Sequence, residues 1–180
     1  MKIYQKRRHH ENRWRTWLEP LVHKDGKDRT FLDLGCNAGF YMTKAESLGY
    51  RAIGLERDTD YISQAPKGLA ITQGDVNYYD PPVAFLTLLA CVHYHQTDEQ
   101  VEALLYKLMH STANLLVMAR HKGPTWAGTS SSTKDHLLKI MAGWSVVDSV
   151  DTGKFYSVLF KSPKTKEFEV QDLYESTKEV

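Results

Sequence analysis

The most constraining feature of this sequence is a short apolar run that ends in a turn of small residues. The run is Thr30–Leu34, the turn is Gly35–Gly39, and the amphipathic stretch Phe40–Leu48 follows. Glycines at both ends of the turn let the backbone approach a ligand closely, and the start of a helix presents free N–H groups. The segment therefore predicts a strand, a ligand-binding turn and a helix in direct succession.

Short apolar runs and helical periods alternate along the rest of the chain. Further strands are predicted at Arg51–Glu56, Leu69–Thr72, Val83–Cys91 and Asn114–Ala119, and helices at Asp60–Ala65, after Thr97 and at Lys134–Met141. Such alternation implies right-handed crossovers and a parallel sheet covered by helices on both faces. The last two strands, Ser145–Val150 and Phe155–Phe160, are linked too closely to be parallel. The predicted fold is a Rossmann-like three-layer α/β sandwich whose seven-stranded, mostly parallel sheet ends in an antiparallel hairpin.

The length of 180 residues leaves room for one domain and not for two full ones. We divide the chain into an N-terminal basic and aromatic helical segment (1–27), a central domain (28–161) and a polar, loosely held C-terminal tail (162–180). No apolar run approaches the ~20 residues of a membrane-spanning helix. The two cysteines, Cys36 and Cys91, form no disulfide framework, which predicts a reduced protein of the cytoplasm.

Positive charge is concentrated at the N-terminus. Residues 1–30 hold nine Lys/Arg and four acidic residues, a balance of 9 − 4 = +5, whereas the whole chain carries +1 and the other 150 residues therefore carry −4. This balance excludes a strongly basic nucleic-acid coat protein but leaves a local basic patch. This basic run also contains Trp14 and Trp17. The segment either binds phosphates with its basic side chains and stacks bases on its tryptophans, or it forms a solvated helix whose tryptophans pack on the core.

Acidic residues accompany three successive predicted strands. Asp33 lies near the end of the first, Glu56 ends the second 21 residues after Gly35, and Asp75 follows the third. A carboxylate in the position of Glu56 can accept hydrogen bonds from both ribose hydroxyls, and Asp75 can accept one from a purine amine. Asp33 repels phosphate and suits a cationic or zwitterionic ligand, and Asn37 replaces a glycine of the dinucleotide-binding turn, which disfavours an NAD-type oxidoreductase. The set predicts a site for S-adenosylmethionine.

At these residues the sequence resembles the class I S-adenosylmethionine-dependent methyltransferases, over roughly residues 28–161. The resemblance rests on the stretch Asp33–Tyr41, on Gly54–Glu56 at the end of the second strand, and on Gly74–Val76 after the third. It implies the same fold and a set of residues that contact the cofactor. These are Asp33, Gly35, Cys36, Asn37, Gly39, Glu56, Arg57, Asp75, Val76 and Cys91.

Three shorter stretches are similar to one branch of that family. They are Asn37–Tyr41, Tyr61–Ala65 and Cys91–His95. The branch includes the tRNA wobble-uridine modifying transferases and several small-molecule methyltransferases, so the resemblance implies no particular acceptor.

The residues after the fourth strand face the methyl group in this fold, and here they are His93, Tyr94 and His95. Either histidine is a candidate general base, and Tyr94 is a candidate pocket-lining residue. Two histidines without a nearby carboxylate do not make a zinc site, so no metal is expected. The chain lacks the Asn/Asp-Pro-Pro-Tyr motif of amine-directed nucleic-acid methyltransferases and an acidic residue at the end of this strand. An oxygen or an acid is therefore favoured over an exocyclic amine as the acceptor.

The acceptor pocket is predicted between the loop 120–133 and the N-terminal segment, which contribute Arg120, Trp126, Arg13 and Trp14. Trp126 either stacks on a planar substrate or anchors the loop, and Arg13 is also a candidate partner for the carboxylate of the cofactor. A small-molecule acceptor is favoured over RNA. The chain acts as a monomer or a homodimer, and a non-catalytic S-adenosylmethionine-binding subunit is the alternative to an enzyme.

Overall fold

A seven-stranded sheet organises the part of the protein that the structure describes. The structure, a computed structural model, describes residues 7–90, 96–120, 134–153 and 155–168. The strands are β1 (Thr30–Leu34), β2 (Arg51–Glu56), β3 (Ala70–Gln73), β4 (Ala84–Leu89), β5 (Thr112–Arg120), β6 (Ser145–Asp151) and β7 (Phe155–Lys161). They lie in the order β3-β2-β1-β4-β5-β7-β6, with β1 to β5 parallel and β7 antiparallel to both of its neighbours. The predicted fold class is confirmed.

Helices cover both faces of this sheet. They are α1 (Arg7–Arg13), α2 (Phe40–Glu46), α3 (Thr59–Ile62), α4 (Asp98–Met109) and α5 (Lys134–Ile140). One core lies between the sheet, the N-terminal segment and α2, and a second lies under α4 and α5. The predicted start of α4 is confirmed, because Thr97 and Gln100 form a capping box there. None of the described helices combines the length and apolar character needed to cross a bilayer.

The N-terminal segment is part of the first core. After α1 the chain continues through a π-helical turn, Trp14–Leu18, and a 3₁₀ turn, Glu19–Leu21, which contains Pro20. Trp14 is 3% exposed and Leu18 is fully buried. The ring of Trp17 lies 4.6 Å from that of Phe155. The structure thus shows the second of the two sequence interpretations, a helical segment whose tryptophans pack on the core.

The first residues of the C-terminal tail are held against the sheet. The Ser162 amide donates a hydrogen bond to the Ala113 carbonyl (2.9 Å), and the Thr165 hydroxyl donates to the same oxygen (3.3 Å). Phe168 is 7% exposed and belongs to the first core. The expectation of a loosely held tail is therefore wrong for residues 162–168. Phe168 packs in the first core, and Ser162 and Thr165 bind the Ala113 carbonyl, although most of the neighbouring residues are polar.

Candidate cofactor site

The turn between β1 and α2 forms the floor of the candidate site. Gly35 (φ 77°), Asn37 (φ 51°) and Gly39 (φ 75°) all adopt left-handed backbone, which glycine and, less readily, asparagine tolerate. The amides of Gly35 and Cys36 both donate to the Leu55 carbonyl, at 2.8 and 3.0 Å. The turn is consequently tied to β2, and its remaining surface lies at the carboxyl edge of the sheet, where ligands of α/β folds bind.

Glu56 joins this turn to the one after β2. Its Oε2 accepts a hydrogen bond from the Asn37 amide (2.9 Å), and its Oε1 accepts from the amides of Arg57 and Asp58 (2.8 Å each). A carboxylate has about four lone-pair sites, and these bonds use three of them. Glu56 can therefore hold both loops and still accept one hydrogen bond, on Oε2, from a ligand.

Asp33 lies beside Glu56 on the neighbouring strand in a contrasting environment. The residue is 1% exposed, and its Oδ2 has no hydrogen-bond partner within the described part of the chain. Burial, together with the negative charge of Glu56, raises the pKa of Asp33 from 3.8 to about 8. An unpaired buried carboxyl group is costly unless a donor or a cation completes it. The position therefore suits the positively charged part of a ligand.

Asp75 and Arg57 close the outer side of the site. Asp75 Oδ1 accepts hydrogen bonds from the backbone and side-chain nitrogens of Asn77, at 2.9 Å each. Its Oδ2 lies 3.5 Å from Nη1 of Arg57, whose side chain is 75% exposed. Asp75 thus stabilises its own turn with one oxygen and points the other toward the solvent edge, where a purine amine would compete with Arg57.

The structure brings most of the predicted cofactor residues to one edge of the sheet. Gathered there are Asp33, Gly35, Asn37, Gly39, Glu56, Arg57 and Asp75. The side chains of Cys36 and Val76 face the core instead, with 2% and 5% exposed, so these two residues can offer a ligand only their backbone groups. The remaining predicted cofactor residue, Cys91, lies outside the described residues.

The predicted catalytic and acceptor residues are described only in part. His93, Tyr94, His95 and Trp126 lie outside the described residues, and of Arg120 only the backbone, in β5, is described. Trp14 stacks on Tyr41 inside the core, with ring centroids 6.2 Å apart. Arg13 is partly buried, and its Nε has no hydrogen-bond partner among the residues the structure describes.

His10 is a neighbour of the site that the sequence reasoning missed. It is 4% exposed, and its ring lies 5.6 Å from that of Phe40 and 5.9 Å from that of Tyr41, at the start of α2. Burial, reinforced by the charges of Arg13 and His9, lowers the pKa of His10 to about 4, so its ring is neutral. Its spacing of four residues from Trp14, on one helical face, was the signal for its burial.

No protein-family model matches the sequence, and no curated protein matches it. Solved structures do resemble the fold. The PH0226 protein from Pyrococcus horikoshii aligns with a TM-score of 0.70 at 13% identity, over 88% of this chain and 92% of that one. The N-methyltransferase NodS from Bradyrhizobium japonicum, solved with S-adenosylhomocysteine, aligns with a TM-score of 0.68 at 16% identity, over 87% of each chain.

TehB from Haemophilus influenzae is a further neighbour, with a TM-score of 0.65 at 15% identity over 74% of this chain. The present chain spans 57% of the length of TehB. At such identities the likeness concerns the fold. The chain shares with these structures a Rossmann-like fold, with the seven-stranded sheet and its antiparallel hairpin.

Proposed function

We propose that this protein is an S-adenosylmethionine-dependent methyltransferase that acts on an oxygen or an acid of a small molecule. The observation that carries the proposal is the pair of carboxyl groups at adjacent strand ends: Asp33 Oδ2 has no hydrogen-bond partner within the described residues, and Glu56 has one acceptor site left. Asp33 can pair with an ammonium group but offers nothing to a pyrophosphate, which supports a nucleoside joined to an amino acid, as in S-adenosylmethionine, over a dinucleotide.

The residues present fit that cofactor. Glu56 would accept a hydrogen bond from the ribose, Asp33 would pair with the ammonium group, and Asp75 would accept from the adenine amine. Arg13 would hold the carboxylate, since its guanidinium has a buried nitrogen without a partner in the described residues. When bound, the cofactor supplies a methyl carbon activated by sulfonium, so the task of the chain is to orient the two reactants and to take up a proton.

We assign the proton transfer to His93 or His95, with Tyr94 lining the pocket, on the position of these residues after β4. A His93→Ala or His95→Ala variant that loses methyl transfer at unchanged S-adenosylmethionine affinity would identify the base. Full transfer by both variants would mean that the base lies elsewhere, whereas S-adenosylmethionine binding by wild type without turnover of any acceptor would favour the alternative of a non-catalytic cofactor-binding subunit. The two thiols favour a cytoplasmic location, and the enzyme would work as a monomer or a homodimer.

Glu56→Gln tests the ribose contact. The substitution keeps the size of the side chain but removes its charge and replaces one acceptor oxygen by a donor, so S-adenosylmethionine affinity should fall by about 1–3 kcal/mol. Isothermal titration calorimetry measures the change. The exposed Glu46, at the end of α2, supplies the matched control Glu46→Gln, which should bind as wild type. Equal affinities of Glu56→Gln and wild type would mean that the ribose is held elsewhere.

RNA is the second candidate acceptor, favoured by the +5 charge of residues 1–30. The structure places Trp14 in the core and packs Trp17 on Phe155, which removes two side chains from base stacking. We therefore expect any RNA affinity of the protein to be weak and little changed between 50 and 200 mM salt. A steep decrease in RNA affinity with salt would support the RNA acceptor.

One experiment addresses the acceptor directly. The purified protein is first examined by mass spectrometry for carried-over S-adenosylmethionine or S-adenosylhomocysteine. It is then incubated with radiolabelled S-adenosylmethionine and a cell extract that has been separated by size, with and without ribonuclease treatment. Label in a small molecule other than the added S-adenosylmethionine supports the proposal. Label in a ribonuclease-sensitive fraction supports the RNA acceptor, and the absence of bound cofactor and of label contradicts both.

A further inference from the structure

The two carboxyl groups at the ends of β1 and β2 differ sharply in their partners. Glu56 accepts three backbone N–H bonds, whereas Asp33 Oδ2 has no hydrogen-bond partner within the described part of the chain. Both residues are buried, at 9% and 1% exposure. A negative charge on Asp33 would therefore be buried without a described donor and next to the carboxyl group of Glu56, an arrangement that disfavours ionisation of Asp33.

The charged groups around Asp33 can be followed element by element. Asp33 pairs with Gly54 of β2 and Leu88 of β4, and residues 84–90 contain no titratable side chain. Asp33 shares the sheet face of Phe31, which the N-terminal segment and α2 cover. The titratable residues with described side chains on the helical elements of that segment and on α2 are His9, His10, Glu11, Arg13, Arg15, Glu19, Tyr41, Lys44 and Glu46.

Few of these groups can neutralise Asp33. His10 is neutral near pH 7, because burial lowers its pKa to about 4. Lys44 pairs with Glu11 at 2.9 Å. The charge that acts on Asp33 is the negative charge of Glu56. In the described residues, therefore, the environment of Asp33 favours the protonated acid.

We infer that Asp33 is a specificity-determining proton exchanger: it holds a proton in the ligand-free protein and releases it when the ammonium group of a ligand reaches its unpartnered oxygen. The inference rests on the proposed function, which supplies that ligand. In the exchange the O–H bond of Asp33 breaks, the proton passes to solvent, and the carboxylate pairs with the ammonium. A neutral nucleoside without the amino acid gains nothing from Asp33 and displaces no proton.

The pKa of about 8 sets the direction of the pH dependence. Below that pH the ligand must displace the proton, so affinity should rise by up to about tenfold per pH unit as the pH increases toward 8. Above that pH Asp33 is already ionised, and the affinity should no longer change with this group.

Calorimetry at pH 7 in phosphate and in Tris measures the proton, because the two buffers have different ionisation enthalpies. S-adenosylhomocysteine carries the amino acid end, and 5′-methylthioadenosine lacks it. We expect release of close to one proton with S-adenosylhomocysteine and none with 5′-methylthioadenosine. Asp33→Asn should bind S-adenosylhomocysteine more weakly without proton release, whereas the exposed control Asp80→Asn should behave as wild type.

Infrared spectroscopy of the wild-type protein provides a measurement that needs no variant. The band of a protonated carboxyl group should be present in the free protein and disappear when S-adenosylhomocysteine binds. Binding without proton release and without loss of this band would overturn the inference and leave the proposed function standing, as would equal proton release from Asp33→Asn. Failure of both S-adenosylmethionine and S-adenosylhomocysteine to bind between pH 6 and 9 would overturn both.

Discussion

Replacement of Asp33 by Asn is expected to make the ligand-free protein more stable at pH 8 while it weakens S-adenosylmethionine binding. Asp33 is 1% exposed, and burial raises its pKa to about 8. Ionisation of such a group in the native state costs free energy that the unfolded chain does not spend. Asparagine has the same shape and does not ionise, so the variant avoids this cost and loses the carboxylate that a cation requires.

The sign follows from the two pKa values. The native state holds the Asp33 proton up to about pH 8, whereas the unfolded chain releases it near the ordinary value of 3.8. The stabilising contribution is thus complete below pH 3.8 and is lost as the pH rises toward 8. Over this window the free energy of unfolding of wild type should fall, relative to Asp33→Asn, by about 1.4 kcal/mol per pH unit at most, reaching several kcal/mol at pH 8.

Urea unfolding of both proteins at several pH values measures this difference in the free energy of unfolding. Other titratable groups such as His10 are present in both proteins, so their contributions cancel. Asp80→Asn, on the exposed residue after the third strand, should stay parallel to wild type. Parallel curves for Asp33→Asn and wild type between pH 5 and 8 would show that Asp33 is ionised at neutral pH in the free protein.

The positions of the strands and the place of the site were predictable because both follow from local patterns. β1 and β2 begin and end where the apolar runs do. Carboxyl ends of parallel strands share one edge of the sheet, so Asp33 and Glu56 had to lie near each other. The unequal hydrogen bonding of the two residues was not predictable, since it depends on where the amides of Asn37, Arg57 and Asp58 point after the turns have closed.

The two chain ends show why composition alone misleads. The basic residues of the N-terminal segment drew attention to its charge, but its packing is decided by the helical face that carries His10, Trp14 and Leu18. The polar residues after Ser162 suggested a loose tail, but Phe168 is enough to dock it on the core. In both segments a few well-spaced side chains outweigh the average polarity, because buried area contributes stability and exposed charge contributes little.

A substitution at Gly54 should also have a large effect on stability. Both α2 and the turn between β1 and α2 approach β2 closely at this residue. A Cβ atom at Gly54 would lie 2.5 Å from Met42 Sδ and 2.6 Å from Cys36 Sγ. Both distances are shorter than a van der Waals contact, so the added methyl group would clash with both sulfurs. Met42 is fully buried and Cys36 is 2% exposed, so neither side chain has free space into which to move. The turn is held beside this contact, since the Cys36 amide donates a hydrogen bond to the carbonyl of Leu55, the residue after Gly54.

Gly54→Ala should therefore lower the free energy of unfolding by about 1–3 kcal/mol and weaken S-adenosylmethionine binding as the turn shifts. The matched control is Gly143→Ala, since a Cβ there has no atom within 4 Å, and its stability should stay within about 0.5 kcal/mol of wild type. Adding Cys36→Ala to Gly54→Ala removes one of the two clashing sulfurs. The double variant should therefore lose less stability than the sum of the two single variants, by a coupling energy of about 0.5–3 kcal/mol in urea unfolding. If the effects of the two substitutions simply add, the strain caused by Gly54→Ala does not arise from a clash with Cys36.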